Sequence, residues 1–162
     1  MFVKYCCRLL WFASICILFN PCLAQHQEST PKIVVSTPLL VTHLYSDSNG
    51  ESHFEDIELP FELKDYAPPA PPISVTDFFG VEGFVIISSP SGWFGDWHPV
   101  PRRQYMICLS GELEVEVSDG EIRRFGPGSV ILVEDTSGKG HVSRVVGGGR
   151  VNMAAMPAKD EN

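Results

Sequence analysis

Leu113-Glu114-Val115-Glu116-Val117, then Ser118-Asp119-Gly120-Glu121, Ile122-Arg123-Arg124-Phe125, Gly126-Pro127-Gly128 and, after Ser129, Val130-Ile131-Leu132-Val133, is the stretch that decides the fold. Apolar and acidic residues alternate strictly from Leu113 to Val117. That period of two buries one face of an extended strand and wets the other. Ser118 to Glu121 turns the chain and Ile122 to Phe125 returns it. Gly126-Pro127-Gly128 makes a second tight turn into a short, wholly apolar strand, Val130 to Val133. Strands this short, at such regular spacing, predict a sandwich or barrel.

Toward the C-terminus, Gly147-Gly148-Gly149 precedes Val151 to Met156, a run that can close the sheet. Toward the N-terminus, Leu39 to Tyr45 and Ser52 to Leu59 flank Ser46-Asp47-Ser48-Asn49-Gly50, and the Asn-Gly pair suits a tight hairpin. Pro68-Pro69-Ala70-Pro71-Pro72 follows as a rigid extended connector, read as a strap across the barrel wall. The 14 glycines and 13 prolines fall between such runs, which favours a turn-rich all-β chain over a helical bundle. With 162 residues, 44% of them apolar, the chain has material for one core, and it shows no heptads and no internal repeat.

The opening residues are of another kind. Lys4 and Arg8 form a short basic region, Leu9 to Phe19 is apolar apart from Ser14, and Cys22-Leu23-Ala24 places small residues at minus three and minus one. This reads as a signal peptide over residues 1–24, ahead of a polar tether at 25–37, a domain at 38–158 and a disordered tail at 159–162. The apolar core falls short of the roughly 20 residues a membrane span requires, so no stable span is expected after cleavage. Phe19-Asn20-Pro21 before Cys22 is a poor lipoprotein signal. Cleavage takes away Cys6, Cys7, Cys16 and Cys22, which leaves Cys108 alone and excludes a disulfide scaffold. It also removes Lys4 and Arg8, so that 12 basic against 20 acidic residues become 10 against 20 and the net charge moves from −8 to −10. So acidic a surface repels nucleic acid and anionic membrane. The expected partner is a small molecule, with self-association as a homodimer left open, and the expected location is secreted or periplasmic.

Gly92, His98, Gln104 and Gly111 stand at the spacing of the pattern G-x5-H-x-H-x3-E-x6-G, with Val100 in place of the second histidine and Gln104 in place of the glutamate. A second pattern, G-x5-P-x-G-x2-H-x3-N, is matched more loosely. Gly128 opens it, Glu134 replaces the proline, His141 comes two residues late after Ser137-Gly138-Lys139-Gly140, and Val145 replaces the asparagine. With Leu109-Ser110-Gly111-Glu112-Leu113-Glu114-Val115 and Phe125-Gly126-Pro127-Gly128, the chain from Gly92 to Val146 resembles the cupin superfamily, and small single-domain cupins in particular. The resemblance implies an all-β, cupin-type double-stranded β-helix, a jelly-roll barrel with extra N-terminal strands. It implies no reaction, because cupins include oxygenases, isomerases, lyases, sugar binders and storage proteins.

In metal-binding cupins three imidazoles and a carboxylate surround a divalent ion. Carried over by position, His98 and His141 remain as imidazole ligands, Gln104 offers a neutral amide oxygen and Val100 offers nothing. The resemblance thus implies a depleted site, holding a divalent metal weakly or not at all. Without metal, His98 and His141 are candidate hydrogen-bonding or proton-transfer groups. Trp93 and Trp97, with Phe94 between them, offer aromatic faces for a planar or cyclic ligand, or else cap the core. Arg102 shares parity with His98 and Gln104, so extended geometry turns it toward the pocket as an anion-binding fork, with Arg103 outside. Cys108 reads as a small buried hydrophobe, and His53, Glu55 and Asp56 as a solvated strand face. Lys139 lies in a Gly-rich loop without the strand-loop-helix setting of a phosphate loop.

Three function classes stay open. One is an isomerase-, lyase- or cyclase-like enzyme using His98 and His141, with Trp93, Trp97, Arg102 and Gln104 on an anionic or cyclic substrate. The second is a noncatalytic carboxylate or sugar binding module. The third, a metal-dependent oxygenase, is disfavoured by Val100 and Gln104. The expected processing has a direct check: exported protein should begin at Gln25, and an intact-mass measurement showing residues 1–24 retained, or a lipid on Cys22, would contradict the signal-peptide reading.

Overall fold

Twelve strands follow one another among residues 37–159, the part of the chain described by a computed structural model. They are β1 (Leu39–Ser46), β2 (Ser52–Leu59), β3 (Glu62–Lys64), β4 (Ile73–Val75), β5 (Val85–Ser89) and β6 (Phe94–His98), then β7 (Gln104–Ser110), β8 (Glu112–Val117), β9 (Ile122–Phe125), β10 (Val130–Val133), β11 (His141–Val146) and β12 (Val151–Pro157). The expected signal peptide and nearly all of the tether lie outside the described residues. No described helix is long and apolar enough to cross a membrane.

The alternation in Leu113–Val117 becomes β8 as its period requires. Leu113, Val115 and Val117 are buried, each worth about 1.5–3 kcal/mol on full burial. On the other face Glu114 pairs with Arg124 and Arg144, and Glu116 with Arg144. A six-stranded sheet, in the order β2-β1-β10-β7-β12-β5, packs across a shared core from a four-stranded sheet in the order β6-β11-β8-β9. From β5 onward the chain changes sheet at almost every turn, the hallmark of a jelly roll, and only the β8–β9 hairpin stays within one sheet. β1 joins β10 in parallel and carries β2 on its far side, so these two are the extra N-terminal strands. The fold is an all-β, cupin-type double-stranded β-helix. After β12 the Lys159 amide donates to the Gly80 carbonyl at 3.0 Å.

One end of the barrel is built to hold the loop that delivers His141. Ser52, fully buried, donates from its hydroxyl to the Gly140 carbonyl at 2.6 Å and accepts from the Ser118 amide at 2.7 Å. The Lys139 amide donates to the Gly50 carbonyl, and its ammonium pairs with Glu51. Nearby, Asp119 and Asp47 flank His53 and raise its pKa, chiefly through the hydrogen bond that His53 donates to the Asp119 carboxylate, against a smaller desolvation effect. The strand face read as merely solvated is therefore a row of ion pairs.

Gly140 has φ +72°, and a Cβ there would lie 2.1 Å from the His98 carbonyl oxygen. Gly120 has φ +96° but open space around it. Both sites penalise an L-residue by about 1–2 kcal/mol for conformation alone, and only Gly140 adds a steric clash. In urea denaturation Gly120→Ala should stay within that range, while Gly140→Ala should exceed about 3 kcal/mol, the upper end of ordinary single substitutions. Equal costs would refute the close approach of Gly140 to β6.

Candidate functional site

β11 lies between β6 and β8, and its first residue, His141, stands opposite His98 of β6. The register then shifts, with Ser143 opposite Gly95, so three steps on β6 match two on β11. That extra residue is a β-bulge, and it lets both Gly95 and His98 face inward. Gly95 makes the room: a Cβ there would come within 2.6 Å of the Trp93 ring and 3.3 Å of His98 Cε1.

The result is a cavity of about 170 Å³ between the sheets, whose polar wall is His98, Gln104, His141, Ser89 and Ser143. Val100 and Trp93 also line it, and the rest is aliphatic, aromatic or Met. The two imidazole centroids are 4.7 Å apart. His98 Nδ1 lies 2.6 Å from the Asp96 carbonyl oxygen, and His141 Nδ1 lies 2.6 Å from Asp135 Oδ2. Both partners are acceptors, so each ring donates from Nδ1 and, when neutral, keeps Nε2 as an acceptor.

Asp135 is the residue that the sequence reading missed. It has no solvent exposure, its backbone oxygen accepts from the Val100 amide at 3.1 Å, and Oδ1 has no hydrogen-bond partner among the described residues. Burying a carboxylate costs several kcal/mol, so its place behind His141 demands a reason. The only sequence signal was an acidic residue directly after an apolar strand, and no periodicity links it to a histidine six positions on.

Other expectations are corrected. Arg102 points to solvent, 61% exposed, with its Nη1 3.4 Å from Glu82 Oε2. Arg103 is the more enclosed of the pair, at 31%, with its Nε 2.5 Å from Glu134 Oε1. Neither lines the cavity. The parity reasoning failed because β6 ends at His98 and β7 begins at Gln104, with Pro99, Pro101 and a bend between them. Trp93 does reach the cavity, whereas Trp97 sits outside beside Ser118 and Lys139. Cys108 is buried off the cavity wall, and desolvation pushes its thiol pKa up, opposite to the need of a nucleophile.

Several solved structures are similar to this chain. A conserved protein of unknown function from Streptococcus pyogenes is 25% identical, with a TM-score of 0.40, over 49% of this chain and 66% of its own. This chain thus spans slightly less than two thirds of that protein's length. The cupin domain of Schizosaccharomyces pombe Cnp3 is 15% identical, with a TM-score of 0.41, over 77% of this chain and 86% of its own. An RmlC-like cupin from Shewanella frigidimarina is 18% identical, with a TM-score of 0.37, over 74% of this chain and 86% of its own. No protein-family model and no curated protein matches the chain.

The metal set that the cupin resemblance implies does not fit these residues. Its four positions hold two imidazoles, an amide and the side chain of Val100, which is 4% exposed and packed into the core cluster. Among the described residues no three His, Cys, Asp or Glu side chains are grouped to hold an ion. Two neutral imidazoles and an amide bring no negative charge to a dication. Elemental analysis of the purified protein should find well under one equivalent of transition metal, and Val100→His combined with Gln104→Glu should create affinity. Stoichiometric metal surviving dialysis against chelator would refute this.

Proposed function

We propose that the chain is an exported single-domain cupin whose cavity binds a small, uncharged cyclic molecule and moves a proton on it, as an isomerase, lyase or cyclase does. The array Asp135–His141–His98 carries this reading. Asp135 holds the His141 ring in one orientation and tautomer, and it supplies negative charge beside that ring when the ring takes a proton. Nε2 of His141 then removes a proton from an O–H, or from a C–H next to a carbonyl. The same proton, kept on His141 or passed to Nε2 of His98, returns to a neighbouring ligand atom. Atoms and charge balance with no oxidant.

The size and lining of the cavity support the ligand class. A cavity of about 150 Å³ admits benzene, so about 170 Å³ suits one six-membered ring with a polar substituent. Trp93 offers a flat face and Gln104 an amide to orient that substituent. With both guanidiniums off the wall, a carboxylate would find no cation, which argues for neutral ligands over the anionic ones first expected. Export, to the periplasm or outside the cell, is supported by the signal-like residues 1–24 alone.

Cyclohexanone is a probe of matching size. The protein should accelerate exchange of its α-protons in D₂O, followed by NMR, and Asp135→Asn and His141→Gln should each lower the rate by about 10²–10⁴. His141→Gln is preferred to His141→Ala because its amide can still donate to Asp135, and stranding a buried charge costs about 3–5 kcal/mol. A rate no higher than that of free imidazole at equal concentration, or unchanged rates in both variants, would sink the proton-transfer reading.

A further inference from the structure

β7 turns Gln104 and Met106 toward the cavity between the sheets, so its period of two sends Tyr105 and Ile107 to the outer face of the six-stranded sheet. There they border a second groove with Leu39 of β1, Val130 of β10 and Met156 of β12, and Thr76 to Val81 supply its opposite wall. That wall is tied down at its end. The Glu82 amide donates to the Pro157 carbonyl at 2.9 Å, the Lys159 amide holds the Gly80 carbonyl, and Val81 bridges Ala158. The groove measures about 480 Å³ and shares no lining residue with the inner cavity of about 170 Å³.

Four aromatic rings line it, those of Phe61, Phe78, Phe79 and Tyr105. The centroids of Phe79 and Tyr105 are 5.1 Å apart, with the rings tilted at 47°. An aromatic face carries negative potential, and several such faces around one space attract a cation. Asp77, the one charged side chain among the described lining residues, is also negative and 86% exposed. Lys64 lies 3.5 Å from Asp77 and 3.1 Å from Glu62, so these three together keep one net negative charge. The chain's net charge of −8 acts in the same direction. A fatty acid or other anion is therefore repelled, and a neutral apolar ligand makes no use of the rings' potential.

Hydrogen-bonding capacity narrows the class further. Besides Asp77, the polar side chains on this wall are Thr76 and Tyr105, and the Thr76 hydroxyl already donates to the Asp77 carbonyl at 3.0 Å. A primary ammonium brings three donors that need acceptors. A quaternary ammonium brings none. Phe78 is 90% exposed and Phe79 42%, so a ligand that covers them gains apolar burial as well as charge attraction.

We propose that this outer groove binds an organic quaternary ammonium compound, its cationic head against the aromatic rings beside Asp77 and its apolar remainder against Leu39, Ile107 and Met156. The proposal stands on the groove alone, and holds whether or not the histidines transfer protons.

Titration of the full purified chain with benzyltrimethylammonium, followed by two-dimensional amide NMR, tests it. Amides of residues 76–81 and 105–107 should shift saturably, and those beside the two cavity histidines should not. Phenylacetate, with a similar ring and the opposite charge, should bind about tenfold more weakly or worse. Phe79→Leu keeps an apolar side chain but removes an aromatic face, and should weaken binding by about two- to fivefold. Asp77→Asn should weaken it too, by a factor that shrinks as salt is raised. Equal binding of phenylacetate, shifts confined to the inner cavity, or an affinity unchanged in both variants would each overturn the site. So would a dimer in sedimentation velocity that ignores the probe, which would give the groove to a second copy. Binding seen only after Ile33→Asp with Val35→Asp would give it to the chain's own Ile33-Val34-Val35, and would overturn the proposal as well.

Discussion

The close approach of Gly140 to the His98 carbonyl is the constraint on which the site depends. β11 must begin directly against the end of β6 for His141 to stand opposite His98, and any side chain at residue 140 would force the strands apart. The loop is held from the other side by the β1–β2 hairpin, through the Ser52 hydroxyl on the Gly140 carbonyl and the Lys139 amide on the Gly50 carbonyl. The extra N-terminal strands therefore position the site. Each contact uses a backbone group at a loop where few other partners exist, so the loop is defined by hydrogen bonds more than by apolar burial.

Within that frame a buried carboxyl group, Asp135, backs one of the two imidazoles of the cavity. Asp135 sits with no solvent exposure behind His141, on the side away from the ligand space, and binds the Val100 amide through its own backbone. It links Val100, where the cupin pattern would have a histidine, to His141, where this chain has one. The cavity wall is otherwise so apolar that an uncompensated ion inside it would be costly. The polar groups of the wall are two imidazoles, one amide and two hydroxyls, which would orient the ligand proposed above.

The barrel's outside shows how an acidic protein distributes charge. Outward carboxylates of β8 and β2 are paired with Arg124, Arg144, Arg123 and His43, so much of the negative charge is locally balanced. Such exposed pairs contribute little individually. Their effect is on where a charged molecule can approach, and the ring-lined groove beside Asp77 stands out against them.

Much of the fold was legible in the residues because strand alternation, turn chemistry and the Gly–His–Gln–Gly spacing are local or periodic signals. β2, β9 and β10 lie where the sequence placed them, and Leu113, Val115 and Val117 face inward as their period of two requires. His98, Gln104 and His141, singled out by motif spacing, line one cavity. The register between His98 and Gln104 was not legible, because two prolines and a bend break the alternation that parity reasoning assumes, and so Arg102 faces solvent. Nor was Asp135, since a partner six residues away across a loop follows no helical or strand period. Sequence by itself determined which residues are apolar, which turns are tight and which ligand positions are lost. Tertiary structure decided which polar groups converge, because that depends on a bulge in β6 and on glycines that allow backbones to touch.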